Sequence, residues 1–249
     1  MAHRRPRILL EGRVQALVER SPARELAAVE GAQLWCANLD QSDQVIGQII
    51  SVLSEAERER AAALRGAPAR RRFVVGRATL RFILGELTGT APGQLHFSYG
   101  RDGKPTLGVP DGIAAPYFNM SHSRDLAIFA VAGHRQVGVD VEWTEGSAPI
   151  ESVARRYFTH AERTVLDAAP DEQRRRLFFR IWVRKEAYLK GRGEGISQWI
   201  HETDFSTLDN GNCPAPDSPA RDQDNWVVRD IAGLPSGHVA SLALSRSGW

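Results

Sequence analysis

The stretch VGVDVEW, Val137–Trp143, sets β-branched residues against two acids in strict alternation. Valine favours a pleated, half-buried surface. Side chains on a strand alternate between faces, so Val139 and Val141 share one face and Asp140 and Glu142 the other. Carboxylates two residues apart stand roughly 7 Å from each other on that face. Like charges this close raise each other's cost of ionisation. On this stretch alone a solvated polar face and a ligand-binding face both remain open.

A third acid comes from the helix downstream. RRRLFFRIWVRKEAYLKGRG, residues 174–193, has the strongest helical pattern in the chain, with Leu177, Phe178, Ile181, Trp182, Tyr188 and Leu189 on a broad apolar face and Gly191 as the expected stop. Glu186 lies four residues after Trp182 and three before Leu189, on the apolar side. A carboxylate there has to be paired, protonated or bound to a metal. Lys185 and Lys190 flank it, and a buried Lys–Glu or Arg–Glu pair is the structural alternative. Two acids on a strand and one on a helix suit a hard divalent cation. Mg²⁺ takes oxygen ligands and completes its shell with water and substrate phosphate. Such a cation would relieve the repulsion between Asp140 and Glu142, and the chemistry implied is displacement at phosphorus.

The rest of the chain organises around these segments. AQLWCANLD reads as a strand. LSEAERERAAAL reads as a helix capped by Ser54 with Glu55 and Glu57 in its first turn. Gly66 and Pro68 break it before ARRRFVVGRATLRFILGELTG, a helix ended by Gly89. Asp102-Gly103 signals a turn. YFNMSHS runs into LAIFAVAG, a buried strand, and Gly133–Gln136 is expected to fold that strand back onto VGVDVEW as a hairpin. IESVARRYF reads as a short helix. Thr159 and Glu162 have the spacing of a capping box. Residues 208–225, with Pro214, Pro216 and Pro219, read as a long surface loop. WVVRDI and HVASLALS close the chain as strands, and residues 1–30 read as a polar leader.

Bulk properties restrict the function class. The 249 residues are 42% hydrophobic and 25% charged, an ordinary globular composition. A net charge of +2 argues against a nucleic-acid polyelectrolyte binder. Arginines do cluster, at Arg70–Arg72, Arg155–Arg156 and Arg174–Arg176, as suits phosphate or an acidic partner, or simply solvated helix faces. Cys36 and Cys213 have no metal spacing and no disulfide framework. No apolar run reaches membrane-spanning or secretory length, so a cytoplasmic location is expected.

Five segments in order resemble the motif set of the 4′-phosphopantetheinyl transferases, of the larger surfactin-synthetase-activating type. They are GKP at 103–105, FNMSHS at 118–123, GVDVEW at 138–143, YFTHAE at 157–162 and WVRKEAYLK at 182–190. The arginine-rich stretch from Ser54 to Arg81 matches that type as well. The resemblance covers about residues 31–245. It implies an α+β fold of two similar halves related by a pseudo-two-fold axis, residues 31–135 and 136–249. Each half has a small antiparallel sheet on a long helix, with coenzyme A between them.

It also implies a reaction: transfer of the phosphopantetheine arm of coenzyme A to a serine of an apo acyl, peptidyl or aryl carrier protein. By position, Asp140, Glu142 and Glu186 would hold Mg²⁺, Glu162 would be the general base, and Lys190 would neutralise the phosphate under attack. Arg60, Arg72, Lys104, Pro105, Ser121, His122 and Lys185, with Lys190, would hold the nucleotide and its phosphates. The type is usually monomeric, and neither nucleic acid nor membrane is an expected partner. The sequence departs from the type at Glu57, where a basic residue often meets the 3′-phosphate. The cap and base readings of Glu162 compete, because one carboxylate cannot easily do both. A metal-dependent phosphodiesterase and a non-catalytic coenzyme A or carrier-binding module remain alternatives.

Overall fold

The computed structural model describes residues 23–26, 29, 31–100, 103–108, 114–193, 198–201, 203–207, 213–214 and 226–246. Most of the polar leader, most of the 208–225 loop and Asp102 of the expected turn lie outside the described residues.

Strands β1 (Ala23–Glu25), β2 (Gln33–Asn38), β5 (Tyr117–Ser123) and β6 (Leu126–Ala132) form one sheet, in the order β1-β2-β6-β5. Strands β7 (Val137–Trp143), β8 (Cys213–Pro214), β9 (Trp226–Asp230) and β10 (His238–Ser245) form the other, in the order β7-β10-β9-β8. The strand pairings in both sheets are antiparallel. Strands β3 (His96–Tyr99) and β4 (Pro105–Gly108) make a separate hairpin. The helices are α1 (Asp43–Ile49), α2 (Glu55–Ala63), α3 (Ala67–Thr88), α4 (Ile150–Tyr157), α5 (His160–Ala168) and α6 (Asp171–Arg192). None of the described helices is long and apolar enough to cross a membrane.

Period-2 alternation builds four layers from these parts. Trp35, Ala37, Ala127, Phe129 and Val131 turn one face of the first sheet onto Val74, Val75, Ala78, Ile83 and Leu84 of α3. The residues between them, Leu34, Cys36, Ile128 and Ala130, turn the other face onto Val137, Val139, Val141, Ala240, Leu242 and Leu244 of the second sheet. The second sheet's outer face then meets α6 through Val239, Ala243 and Val228. Strand β6 is therefore buried along its whole length, between a helix and a sheet. The expected α+β fold, with two antiparallel sheets each packed on a 22-residue helix, is present.

Two local expectations are corrected. LAIFAVAG and VGVDVEW do not form a hairpin. β6 pairs with β5 through the two-residue turn Arg124-Asp125, while β7 pairs with β10 in the facing sheet. The Gly133–Gln136 link crosses between sheets, and Gln136 makes its bonds to β10. Its N–H donates to Ser245 Oγ (3.0 Å), and its carbonyl accepts from Ser245 N–H (3.0 Å). Helix α6 also runs past Gly191. Its stop is Gly193, in the left-handed conformation at φ 76°, with its N–H bonded to the Leu189 and Lys190 carbonyls.

Candidate functional site

Strand β7 and helix α6 meet without side chains between them. A Cβ on Gly138 would overlap the Ala187 carbonyl oxygen and the Gly191 amide nitrogen, and one on Gly191 would stand 2.5 Å from the Trp226 ring. This close approach sets the acids of β7 beside the last turns of α6. At 3.6 residues per turn, Glu186 and Lys190 share a helix face while Lys185 points away from it.

The same edge of β7 is met by β5. Asn119, Ser121 and Ser123 recur at period 2 on the inward face of β5. Val139 N–H donates to Asn119 Oδ1 (3.0 Å). Ser121 Oγ donates to Asp140 Oδ1 (2.7 Å), and Ser123 Oγ donates to Glu142 Oε2 (2.8 Å) while accepting from Trp143 N–H (3.0 Å). Side chains thus stand in for ladder bonds between the two strands. Lys190 Nζ completes the arrangement, donating to Asp140 Oδ1 (2.6 Å) and Ser121 Oγ (3.0 Å).

This cluster is short of positive charge. Asp140 is 4% exposed at its side chain. Burial pushes its carboxyl up, and Lys190 and Ser121 offset only part of that. Burial and then Asp140 push Glu142 up. Glu186 is pushed up to about 7, first by burial and then by Asp140, with Glu142 adding to it. Asp140 Oδ2 and Glu186 Oε1 are buried and have no hydrogen-bond partner. Buried polar atoms are normally satisfied. Two bare carboxylate oxygens in a region of excess negative charge fit a hard divalent cation. Among the described residues no three acidic, histidine or cysteine side chains converge into a closed metal cage. Mg²⁺ does not require one, since it usually binds through one or two carboxylates, waters and substrate phosphate.

Cations frame the cluster from the first half of the chain. Lys104, at the foot of the β3–β4 hairpin, reaches across to the Gly191 carbonyl (2.6 Å) and towards the Val137 carbonyl (3.5 Å). Burial pushes its ammonium down to about 8. Pro105 starts β4 opposite Tyr99. His122 reaches solvent, yet the protein packed around it and then Lys190 and Arg72 hold its imidazole below the ordinary value. Arg72 donates to Asp125 Oδ1 (2.7 Å) beside it. Arg60 is exposed, its guanidinium 5.5 Å from the centre of the Phe73 ring.

The structure places Glu162 and Lys185 elsewhere. Both are fully buried and they bond to each other, with Lys185 Nζ 2.8 Å from each Glu162 oxygen. Glu162 also accepts from Thr159 N–H (2.8 Å), completing the capping box, and from Phe205 N–H (2.8 Å). Lys185 gives a further donor to the Thr203 carbonyl. Four hydrogen bonds on two oxygens leave little room for a proton from a substrate. Burial nonetheless leaves Glu162 raised and Lys185 lowered.

Glu57 is likewise turned inward. It completes a capping box with Ser54 and accepts from Arg81 (2.7 Å) and twice from Arg77 (2.8 and 2.5 Å). Its acidic character therefore does not oppose an anion at the surface. Among the supporting residues, Asn119, Ser123, Asp125 and Gly138 do not stand out one by one in the sequence. The polar alternation at 119, 121 and 123 is the signal that marks two of them.

A family model for the 4′-phosphopantetheinyl transferase superfamily matches residues 136–243. The chain is 37% identical over 217 residues to 4′-phosphopantetheinyl transferase HetI of Nostoc sp. strain PCC 7120, covering 87% of this chain and 88% of that protein. It is 32% identical over 229 residues to a phosphopantetheinyl transferase of Thraustochytrium sp., covering 88% and 79%. To 4′-phosphopantetheinyl transferase AcpT of Escherichia coli K12 it is 30% identical over 173 residues, covering 64% and 84%.

Proposed function

The chain belongs to the 4′-phosphopantetheinyl transferase superfamily and transfers the 4′-phosphopantetheine arm of coenzyme A to carrier proteins; from that premise we propose how its own residues do so. Asp140, Glu142 and Glu186 hold Mg²⁺ together with the pyrophosphate of coenzyme A. The cation supplies Lewis-acid stabilisation of charge on the phosphoryl oxygens when bound. Lys104, His122, Arg72 and Arg60 hold the nucleotide phosphates. Ser121 fixes the Asp140 carboxylate, and Ser123 fixes Glu142. Lys190 sits on the face that Glu186 occupies and neutralises the phosphate under attack. Preorganised positive charge of this kind usually lowers the barrier of such a step more than any other single effect.

A serine hydroxyl needs a base to attack. Glu186 is the carboxylate suited to that task, because its Oε1 is bare and its carboxyl is pushed up to about 7. Glu162, bound on both oxygens, serves with Lys185 as the strut that fixes the rotation of α6. The residues come from both sheets of one chain, which supports action as a monomer on acyl, peptidyl or aryl carriers.

The observation that carries this reading is the pair of bare oxygens, Asp140 Oδ2 and Glu186 Oε1, beside Lys190. The test is incubation with coenzyme A, Mg²⁺ and a panel of apo carrier proteins, read by intact mass. A carrier gains the arm only when Mg²⁺ is present. Cleavage of coenzyme A without a carrier would instead mean hydrolysis, and binding without a product would mean a non-catalytic module.

A further inference from the structure

Arg124 is the one described residue other than glycine with positive φ, at 52°. The left-handed region is costly for a side chain with a Cβ and persists where surrounding structure enforces it. Here the enforcement is visible. The next residue, Asp125, is tied down twice, by Arg72 at its carboxylate and by Leu39 N–H at its carbonyl (2.6 Å). On the other side Ser123 is fixed between Glu142 and Trp143.

What the strained backbone presents is an exposed guanidinium, 5.1 Å from the centre of the Trp143 ring. Trp143 is itself held in place, packed edge-on against His238 at 4.7 Å and against Gly237. The Arg124 guanidinium reaches towards Gly146 and pairs with no carboxylate among the described residues. A pre-oriented arginine fork without a partner is a recognition element for a carboxylate or phosphate.

Position along β7 decides between these. Lys104 reaches Val137, Lys190 holds Asp140, Ser123 holds Glu142 and Arg124 covers Trp143. Six residues at about 3.3 Å each set Arg124 roughly 20 Å from the Lys104 end. The phosphate-directed lysines lie at that end and in the middle.

We propose that Arg124, stacked on Trp143 at the lip of the site, engages an acidic side chain of the protein that brings the serine, and so sets the affinity for that protein rather than for coenzyme A. This rests on the transfer function and the site assignment above. Arg124 is a specificity residue, outside the chemistry.

The test uses Arg124→Gly and Arg124→Lys in the full chain, with coenzyme A, Mg²⁺ and an apo acyl carrier protein. Glycine relieves the strain, so the melting temperature of Arg124→Gly stays level or rises. Its KM for the carrier rises at least fivefold, while kcat and the KM for coenzyme A stay within twofold. The difference from wild type narrows at 1 M salt, where the Debye length is about 3 Å. Arg124→Lys, which keeps charge but loses the planar fork, recovers part of the affinity. An unchanged KM for the carrier overturns the proposal, and so does a raised KM for coenzyme A. A lowered melting temperature with unaltered kinetics reduces Arg124 to a structural strap. Wild-type protein that transfers nothing to any carrier removes the parent reading and this one together.

Discussion

Gly138 of β7 and Gly191 of α6 touch backbone to backbone, and no side chain fits between them. The contact holds the strand carrying Asp140 and Glu142 against the helix carrying Glu186 and Lys190. A methyl group at 138 would have to displace the helix. Gly138→Ala is expected to cost about 1–3 kcal/mol or more, as overpacking does, and to lower transfer at least tenfold. Thermal melts and kcat at a temperature well below the melt read both. Wild-type values for both would mean that the layers can separate freely.

The carboxylate cluster makes an opposite prediction for stability. Its three carboxyls are all raised, so their ionised forms cost folding free energy in the absence of a cation. Glu186→Gln should remove most transfer, yet in EDTA at pH 7.5 its melting temperature should equal or exceed that of wild type. Wild type should gain stability when Mg²⁺ and coenzyme A are added together, and the variant should gain less. A variant that melts lower in EDTA and responds fully to Mg²⁺ would show that Glu186 is a structural acid.

Glu162 is expected to matter for folding more than for turnover. Breaking a buried ion pair from one side costs about 3–5 kcal/mol, because the other charge stays buried. Glu162→Gln strands Lys185 in this way. The double variant Glu162→Gln with Lys185→Met should regain much of the loss. Turnover per folded molecule should stay within tenfold of wild type. A loss of two orders of magnitude with an unchanged melt would instead restore Glu162 as the base, a role worth about 10²–10⁴-fold.

These relationships are unequally legible in the sequence. Asp140, Glu142, Glu186 and Lys190 can be placed because period 2 and period 3.6 fix which residues share a face. The cap at Thr159–Glu162 is legible for the same local reason. The Lys185 partner of Glu162 is not, since nothing in local spacing tells which buried cation meets which acid. The β6–β7 link misleads because a four-residue loop suits a hairpin, and only the burial of β6 on both faces shows that its neighbours are β2 and β5. Gly191 and Gly193 both read as helix stops, and the Trp226 ring against Gly191 decides between them.

Glu57 carries a pH dependence of stability. Burial alone would raise its carboxyl, but Arg81, Arg77 and the Ser54 N–H outweigh burial and hold it below the ordinary value. A carboxylate depressed in the folded state contributes stability above its unfolded value, about 4.3, and loses it as pH falls through the folded value. Glu57→Gln should therefore melt lower than wild type at pH 7, and the gap should close as the pH is taken below 4. A gap that is constant between pH 7 and pH 3 would mean that the charge of Glu57 contributes nothing.

Lys104 couples coenzyme A to protons. Burial pushes its ammonium down to about 8, against an unperturbed value of about 10.4. A lysine lowered by burial is raised again when an anion arrives beside it. At pH 8.5 much of Lys104 is neutral in the free protein, so bringing a phosphate to it draws in a proton. Coenzyme A affinity should then fall as pH rises above about 8. Calorimetric titration at pH 8.5 in two buffers of different ionisation enthalpy should report net proton uptake by wild type. Lys104→Met should bind more weakly and show less uptake, with its affinity flatter between pH 7.5 and 9.5. Equal uptake by the two proteins would mean that Lys104 keeps its bonds to the Gly191 and Val137 carbonyls when coenzyme A binds, as a brace between the two halves and not a phosphate ligand.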